Sequence, residues 1–150
     1  VGDGSLMMTL QELATIMHHK INIKLIVVNN NGYSMIKQTQ EQWLDSKYIA
    51  SSEEGGISFP DYKKIADAFS LKFFKSNQDK DLELKLDLFL KTNNSSLLEV
   101  LISPHARVEP QVKFGRPNED MEPLLPRDIF LKNMIIEPLK ISTQELKEKN

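Results

Sequence analysis

The segment that most constrains the fold of this chain is the apolar run at residues 23–28, Ile-Lys-Leu-Ile-Val-Val, which ends at Asn29-Asn30-Asn31-Gly32. A short run dominated by β-branched residues is typical of a strand that is buried in a parallel sheet. The asparagines and the glycine are turn residues, so they predict that the strand ends there. Such a strand needs helices to cover the sheet, and helical patterns flank it on both sides.

The flanking patterns predict helices at residues 9–19 and at about 33–42. In the first helix, Thr9 and Glu12 have the spacing of a capping box, which predicts a defined helix start. Residues 45–58 are polar and predict a loop. The apolar residues of the first helix recur at spacings of three and four, which places them on one face: Leu10, Leu13, Ala14 and Met17.

Residues 60–102 continue the alternation of predicted helices and strands. Pro60 and Asp61 are typical of a helix start, and apolar runs predict strands at residues 71–74 and 97–102. Residues 81–91 are ambiguous, because alternating leucines fit a strand while good helix formers and an apolar stripe fit a helix. The alternation of strands and helices around them favours a helix. The predicted fold class is therefore α/β, a parallel sheet with helices on both faces.

The character of the chain changes after residue 103, because six of its seven prolines lie beyond residue 100. Proline lacks an N–H group and fixes φ, so a segment this rich in proline cannot continue a sheet. We expect a domain at residues 1–112 and an extended C-terminal arm at residues 113–150. The arm would carry a short helix at residues 127–133, and residues 142–145 could cap a terminal charged helix.

The composition excludes several classes of protein. The chain has 150 residues, a formal net charge of −2 and no cysteine, so disulfides, thiolate zinc sites and cysteine nucleophiles are excluded. The near-neutral charge gives no electrostatic footprint for nucleic acid, and no apolar stretch reaches the roughly 18 residues of a membrane span. No signal peptide is visible, so we expect a cytoplasmic protein that binds neither nucleic acid nor a membrane.

Two motifs fall where a parallel sheet of this kind binds its ligands, beyond the carboxyl ends of the strands. Gly2-Asp3-Gly4-Ser5 would follow one strand end, and Asn30 follows the strand at residues 23–28. The Asp3 carboxylate, the Asn30 amide oxygen and the Gly32 carbonyl are hard oxygen donors. Mg²⁺ prefers about six such oxygens, and substrate phosphates and water commonly supply the remainder. The sequence therefore predicts a Mg²⁺ site at Asp3, Asn30 and Gly32.

The segment from the first motif to the second, GDGSLMMTLQELATIMHHKINIKLIVVNNNGY, resembles the signature of thiamin diphosphate-dependent enzymes. The residues after it, SMIKQ at 34–38 and FPDYKKIADAF at 59–69, resemble acetolactate synthases, as does LLEV at 97–100. The resemblance covers about residues 1–112 and implies the C-terminal pyrophosphate-binding domain of that family. It also implies thiamin diphosphate and Mg²⁺ as cofactors and a 2-oxo acid as substrate.

The resemblance implies roles for individual residues. The backbone N–H groups of Gly4 and Ser5 would bind the diphosphate. No residue of this chain matches the family's activating glutamate, which a neighbouring subunit supplies, so no catalytic residue is assigned. Cofactor-binding residues would be Gly2, Asp3, Gly4, Ser5, Asn30, Gly32 and Tyr33, and candidates for the substrate pocket would be Met35, Gln38 and Thr39.

The sequence departs from the family pattern at two positions. Ile36 stands where pyruvate-decarboxylase-like members carry a glutamate, which counts against a simple decarboxylase. Thr39 stands where acetolactate synthases carry a tryptophan that favours the larger acceptor, so the choice of acceptor is open.

These observations predict the cofactor-binding part of an acetolactate synthase-like carboligase or decarboxylase, a transferase or lyase. We expect a homodimer or homotetramer with the cofactor at the subunit interface. We also expect that residues 1–112 are truncated on their N-terminal side and that the 150 residues alone are inactive. Two alternatives stay open: a non-catalytic module of the same fold that serves as an oligomer scaffold, and a flavodoxin-like domain that binds a phosphoester.

Overall fold

The structure, a computed structural model, describes residues 1–77, 79–113 and 115–143. The chain divides into two compact units, Val1–Arg107 and Val108–Asn150. No helix among the described residues is long and apolar enough to cross a membrane.

The first unit is built on a three-stranded parallel sheet, which confirms the predicted fold class. Its strands lie in the order β1-β3-β2, so the last strand in the sequence is the central one. Helices precede and follow the strands along the chain. In chain order the elements are α1 (Asp3–Met7), α2 (Glu12–His18), β1 (Lys24–Asn29), α3 (Ser34–Trp43), α4 (Tyr62–Ala68), β2 (Lys72–Ser76), α5 (Asp79–Lys91) and β3 (Ser96–Leu101).

Helices pack on both faces of this sheet. On one face, Val27 of β1 and Leu97 of β3 form the main hydrophobic core with buried residues of three helices, namely Leu6, Leu13, Tyr62 and Ala66. On the other face, Phe89 of α5 is fully buried, and its ring packs edge-on against Phe74 of β2 at a centroid distance of 5.9 Å. Side chains of successive strand residues point to opposite faces, which is why a short strand such as β3 can bury both Leu97 and Leu98.

The structure confirms the helix at residues 81–91, as α5, and the loop at residues 45–58, but it corrects the first predicted helix. Helix α2 begins at Glu12, with Gln11 as its N-cap and no side-chain capping hydrogen bond. The predicted capping box is wrong because Thr9 lies in a turn, where its carbonyl accepts the Glu12 N–H at 3.0 Å. The Glu12 carboxylate accepts a hydrogen bond from the Thr15 hydroxyl instead. The short helix α1 was not predicted.

The described residues of the second unit, 108–113 and 115–143, form a compact arrangement, so the structure does not show the predicted extended arm. Helix α6 (Arg127–Asn133) confirms the short helix, and α7 (Lys140–Thr143) follows it. Gln111 and Glu122 form an antiparallel bridge. The predicted cap at residues 142–145 and the terminal helix lie partly outside the described residues, which end at residue 143.

At the centre of the second unit, the Asp120 carboxylate is buried against two arginines. Arg127 donates to both of its oxygens, at 2.9 and 3.0 Å, and Arg116 forms an ion pair with it. Hydrogen bonding to Arg127 therefore lowers the pKa of Asp120 below its ordinary value, although burial opposes the shift. This network joins Arg116 and Asp120 to the first residue of helix α6.

Candidate functional site

The first motif lies at the start of α1, beside the carboxyl end of β1. Gly2 forms a parallel bridge with Val28, and the Val1 carbonyl accepts the Val28 N–H at 2.9 Å. Gly2 is then the N-cap of α1, so the chain turns from an extended segment into a helix at this glycine. This turn places Asp3 next to the loop that follows β1.

The Asp3 side chain links the two motifs directly. It is 3% exposed, and its oxygens accept the N–H groups of Gly4, at 2.9 Å, and of Gly32, at 3.1 Å. These hydrogen bonds join the Gly2–Ser5 segment to the turn after β1, as the strand-end argument predicts. Both donors are neutral, so they orient the carboxylate without neutralising its charge.

The side-chain oxygen of Asn30 is the second notable atom of this site. It is buried, and it has no hydrogen-bond partner among the described residues. A buried polar oxygen without a partner costs about 1–3 kcal/mol, so such an atom points to a group that binds there. The oxygen belongs to the residue that the sequence predicts as a metal ligand.

Two glycines of the site allow neighbouring groups to pack closely against the backbone. A Cβ atom on Gly4 would lie 2.1 Å from the Tyr33 ring, and one on Gly32 would lie 2.9 Å from the Ser51 carbonyl. That carbonyl also accepts the Tyr33 N–H at 3.0 Å, which fixes the start of α3 against the loop at residues 45–58. Side chains larger than glycine would displace these contacts.

One cavity of about 230 Å³ lies at these two motifs. Of the predicted substrate-pocket residues, Met35 lines it, whereas Gln38 and Thr39 do not; Gln38 is buried and the Thr39 hydroxyl donates to the Met35 carbonyl. Ser34 and Ile36 also line it. All seven predicted cofactor-binding residues line the cavity: Gly2, Asp3, Gly4, Ser5, Asn30, Gly32 and Tyr33.

The buried carboxylate of Glu99, on the central strand, accepts a hydrogen bond from the turn after β1. Glu99, which is 4% exposed, accepts the Asn29 side-chain N–H at 2.7 Å and pairs with Lys75 at 2.8 Å. The Asn29 side-chain oxygen in turn accepts the Asn31 N–H at 2.9 Å. Glu99 therefore fixes the residues on either side of Asn30. The sequence analysis missed this role, although a single glutamate in the apolar run Leu97–Leu101 is a visible signal.

Tyr62 supports the same site from the core. Its hydroxyl donates to the Asp3 backbone carbonyl at 2.9 Å, and its side chain is 1% exposed. Burial, with a smaller contribution from the negative charges of Asp3 and Glu99, raises the pKa of Tyr62 well above its ordinary value. The hydroxyl therefore stays protonated and keeps donating at neutral pH. From the sequence, Tyr62 is assigned no role beyond its place in the segment FPDYKKIADAF at residues 59–69.

This arrangement can bind a hard cation. It combines a buried carboxylate, a buried amide oxygen that has no partner among the described residues, and two glycines against which neighbouring groups pack too closely for a side chain. Within residues 1–77, 79–113 and 115–143, no group of three histidine, aspartate or glutamate side chains could hold a metal ion. A metal at this cavity would therefore depend on amide and backbone oxygens beside the one carboxylate of Asp3.

The family model and the curated relatives that this chain matches describe the same kind of protein. The family model of the thiamine pyrophosphate enzyme C-terminal TPP binding domain matches residues 1–100. The acetolactate synthase large subunit of Porphyra purpurea is 32% identical over 120 residues, which are 80% of this chain and 20% of that protein. The acetolactate synthase isozyme 1 large subunit of Escherichia coli (strain K12) is 31% identical over 120 residues, which are 80% of this chain and 21% of that protein.

Among solved structures, the thiamine diphosphate-dependent 4-hydroxybenzoylformate decarboxylase of Rhodococcus jostii RHA1 has the same fold, with a TM-score of 0.56 and 21% identity. The match covers 69% of this chain and 19% of that chain. The chain thus spans about one fifth of the length of the curated relatives that it matches.

Proposed function

Because this chain belongs to the family of thiamine pyrophosphate enzymes, as their C-terminal TPP-binding domain, we propose that the cavity at Asp3 and Asn30 binds Mg²⁺ and the diphosphate of the cofactor. The observation that carries this proposal is the buried Asn30 side-chain oxygen, which has no partner among the described residues and lines the same cavity as the buried Asp3 carboxylate. Membership in this family decides against the flavodoxin-like alternative.

The residues of the cavity fit these two groups. The Asp3 carboxylate, the Asn30 side-chain oxygen and the Gly32 carbonyl would be ligands of Mg²⁺, which prefers oxygen donors and commonly shares them with phosphates. The diphosphate would lie against the backbone of Gly4 and Ser5. Position 4 requires glycine, because the Tyr33 ring occupies the space that any side chain would need.

When it is bound, thiamin diphosphate supplies the carbon nucleophile and the electron sink for cleaving or forming the bond next to a 2-oxo group. The described residues bind and orient. Gly32 and Gly4 hold the Asp3 carboxylate in place through their N–H groups, and Glu99 fixes the Asn29–Asn31 turn. Because these groups are ordered by hydrogen bonds before any ligand binds, little further ordering is needed on binding.

We further propose that the intact protein acts on 2-oxo acids as an acetolactate synthase-like carboligase or decarboxylase. Supporting this proposal are the relatives named above, which are acetolactate synthases about 30% identical to this chain. Met35 and Ile36 line the cavity and would form part of the substrate end of the site. The chain carries the cofactor-binding part, and we propose that a homodimer or homotetramer completes the site at a subunit interface.

The proposal is tested by thermal unfolding of the intact protein with and without Mg²⁺ and thiamin diphosphate. Ligands that bind only the folded protein stabilise it by about 2.7 kcal/mol at 100 times their dissociation constant, so the two together should raise the melting temperature. Asp3→Ala should abolish this rise, because it removes the charged metal ligand. A wild-type protein that shows no rise would refute the proposed cofactor binding.

A control variant and a second variant of the cavity make the test specific. Asp67→Ala removes an exposed carboxylate that pairs with Lys63 on the surface, and it should leave the rise unchanged. Gly4→Ala should reduce the rise in melting temperature, because the new methyl group forces the Tyr33 ring to move. Cofactor binding without turnover of any 2-oxo acid would favour the non-catalytic scaffold instead.

A further inference from the structure

A second and larger cavity of the first unit has no role in the proposed function. Its volume is about 740 Å³, within the roughly 300–1,000 Å³ of small-molecule sites. Asn31 lines this cavity, whereas the neighbouring Asn30 and Gly32 line the cofactor cavity described above. The two cavities therefore adjoin the same turn and are lined by different residues.

The most informative residue of the second cavity is Lys37 of α3, which is only 8% exposed. Its ammonium group donates to the Pro104 carbonyl at 3.3 Å and lies 5.4 Å from the centroid of the Tyr48 ring. No ion pair to Lys37 occurs among the residues that the structure describes. The described residues therefore place no carboxylate within ion-pair distance of this ammonium, and the charges of Glu41 and Glu54 act on it from further away.

The carboxylate of Glu41, which also lies on α3, is not free to form a direct ion pair with Lys37. It accepts hydrogen bonds from the side chains of both Arg107 and Tyr48, and the Arg107 hydrogen bond lowers the pKa of Glu41. Its charge is therefore already balanced by the guanidinium of Arg107. A negative group that enters the cavity would give Lys37 the partner that the described residues do not.

The other lining residues define the kind of anion. The cavity wall includes the Tyr48 ring and Pro104, which offer apolar surface to an organic body, and the imidazole of His105, a second hydrogen-bonding group. Glu53 and Glu54 are exposed and also line the cavity. Their two negative charges oppose a ligand that carries more than one negative charge, such as a phosphate dianion.

We propose that this cavity is a second ligand site, in which Lys37 binds the carboxylate of an organic monoanion whose apolar body lies against Tyr48 and Pro104. The site is independent of the metal and of the thiamin diphosphate cavity, because none of its lining residues lines that cavity. A monocarboxylate suits it better than a phosphate ester because of the acidic residues of its wall.

Calorimetric titration of the intact protein with benzoate, in EDTA and without thiamin diphosphate, tests this proposal. We expect saturable binding that Lys37→Met weakens at least about tenfold, because a hydrogen bond to a charged group is lost. Lys37→Arg, which keeps the charge, should retain most of the affinity. Phenyl phosphate should bind more weakly than benzoate, and tighter binding of phenyl phosphate would overturn the preference for a monocarboxylate.

Two further variants distinguish this site from the cofactor cavity. Asp3→Ala and Met35→Ala each alter a residue that lines only the cofactor cavity, and both should leave benzoate affinity unchanged. Loss of the thermal response to Mg²⁺ and thiamin diphosphate with unchanged benzoate binding would leave this proposal intact. Benzoate binding that survives Lys37→Met, or no saturable binding in the wild type, would overturn it.

The acidic residues provide a test that does not depend on a buried substitution. Glu53 and Glu54 are exposed, so Glu53→Gln with Glu54→Gln should fold normally even if Lys37→Met does not. Removing two negative charges should strengthen phenyl phosphate binding several-fold. An unchanged affinity for phenyl phosphate would contradict the charge argument on which the ligand class rests.

Discussion

Asp3 and Asp120 are both almost fully buried, at 3% and 2% exposed, yet their surroundings differ in kind. Asp120 is held by two arginines, Arg116 and Arg127, so its negative charge is compensated by residues close to it in the sequence. Among the described residues, Asp3 receives two backbone N–H groups, and the buried oxygen of Asn30, which lines the same cavity, has no partner.

The difference shows what distinguishes a candidate ligand site from a structural ion pair. Burial of a carboxylate is common to both places, so burial alone identifies neither. At Asp120 both carboxylate oxygens have arginine partners, and the buried atom without a partner among the described residues is a donor, Arg116 Nε, of a residue that already carries a positive charge. At Asp3 the unbalanced charge and the unpartnered amide oxygen are what a cation would complete.

The largest effect that we expect from this comparison is on stability, at Asp120. Asp120→Ala leaves Arg116 and Arg127 without their partner, and removing one member of a buried ion pair costs about 3–5 kcal/mol. Urea unfolding of the second unit should show this loss. The Asp120→Ala variant should still show a rise in melting temperature with Mg²⁺ and thiamin diphosphate. Loss of that rise would mean that Asp120 and Asp3 do not have separate roles.

The same ion pair predicts an acid dependence. The folded pKa of Asp120 lies below its ordinary value of 3.8, so its contribution to stability is complete above that pH. The contribution is lost as the pH falls below 3.8 through the folded pKa. Asp120→Asn should remove this part of the acid dependence in urea unfolding, whereas an unchanged acid profile would contradict the role of the ion pair.

Glu99 combines features of Asp3 and Asp120. It is a buried carboxylate that pairs with Lys75, and it also supports the candidate site through its hydrogen bond with Asn29. Glu99→Leu should lower the free energy of unfolding by about 1–3 kcal/mol, since Asn29 and Lys75 lose their partner. It should also weaken Mg²⁺ binding, measured by titrating the thermal response.

The matched variant Glu99→Gln separates these two effects. It keeps an oxygen that can accept the Asn29 N–H but loses the charge that pairs with Lys75. We expect Mg²⁺ affinity near that of the wild type with a smaller loss of stability. Equal loss of Mg²⁺ affinity in both variants would show that charge, and not the hydrogen bond to Asn29, is what matters.

The smallest expected effect on the free energy of unfolding comes from the Tyr62 hydroxyl, which donates to the Asp3 backbone carbonyl. Tyr62→Phe removes one buried hydrogen bond and should cost about 1 kcal/mol in urea unfolding. Because the folded pKa of Tyr62 is raised, its contribution is complete below the ordinary value of 10.0 and declines as the pH rises above it. The phenylalanine variant should lack this alkaline decline, and a wild-type-like decline would assign it to other groups.

The sequence predicted the parallel sheet and four helices of the first unit, because periodicity and turn residues are local signals. Of the three candidates for the substrate pocket, Met35 lines the cavity and the other two do not. The sequence missed α1, since a five-residue helix that contains a glycine has no usable periodicity. It also missed the roles of Glu99 and Tyr62, because each joins residues about 60 or 70 positions apart. Glu99 reaches Asn29 across the sheet and Tyr62 reaches Asp3 from helix α4, and neither contact leaves a local pattern in the sequence.

The strand order has a consequence for how this fold forms. Strands β1 and β2 do not pair with each other, and each pairs with β3, which follows both along the chain. Joining either strand to residues 96–101 therefore requires closing a loop, and the loop from β1 is a long one. Glu99 lies on β3, so the ordering of the turn that holds Asn30 is coupled to this long-range pairing.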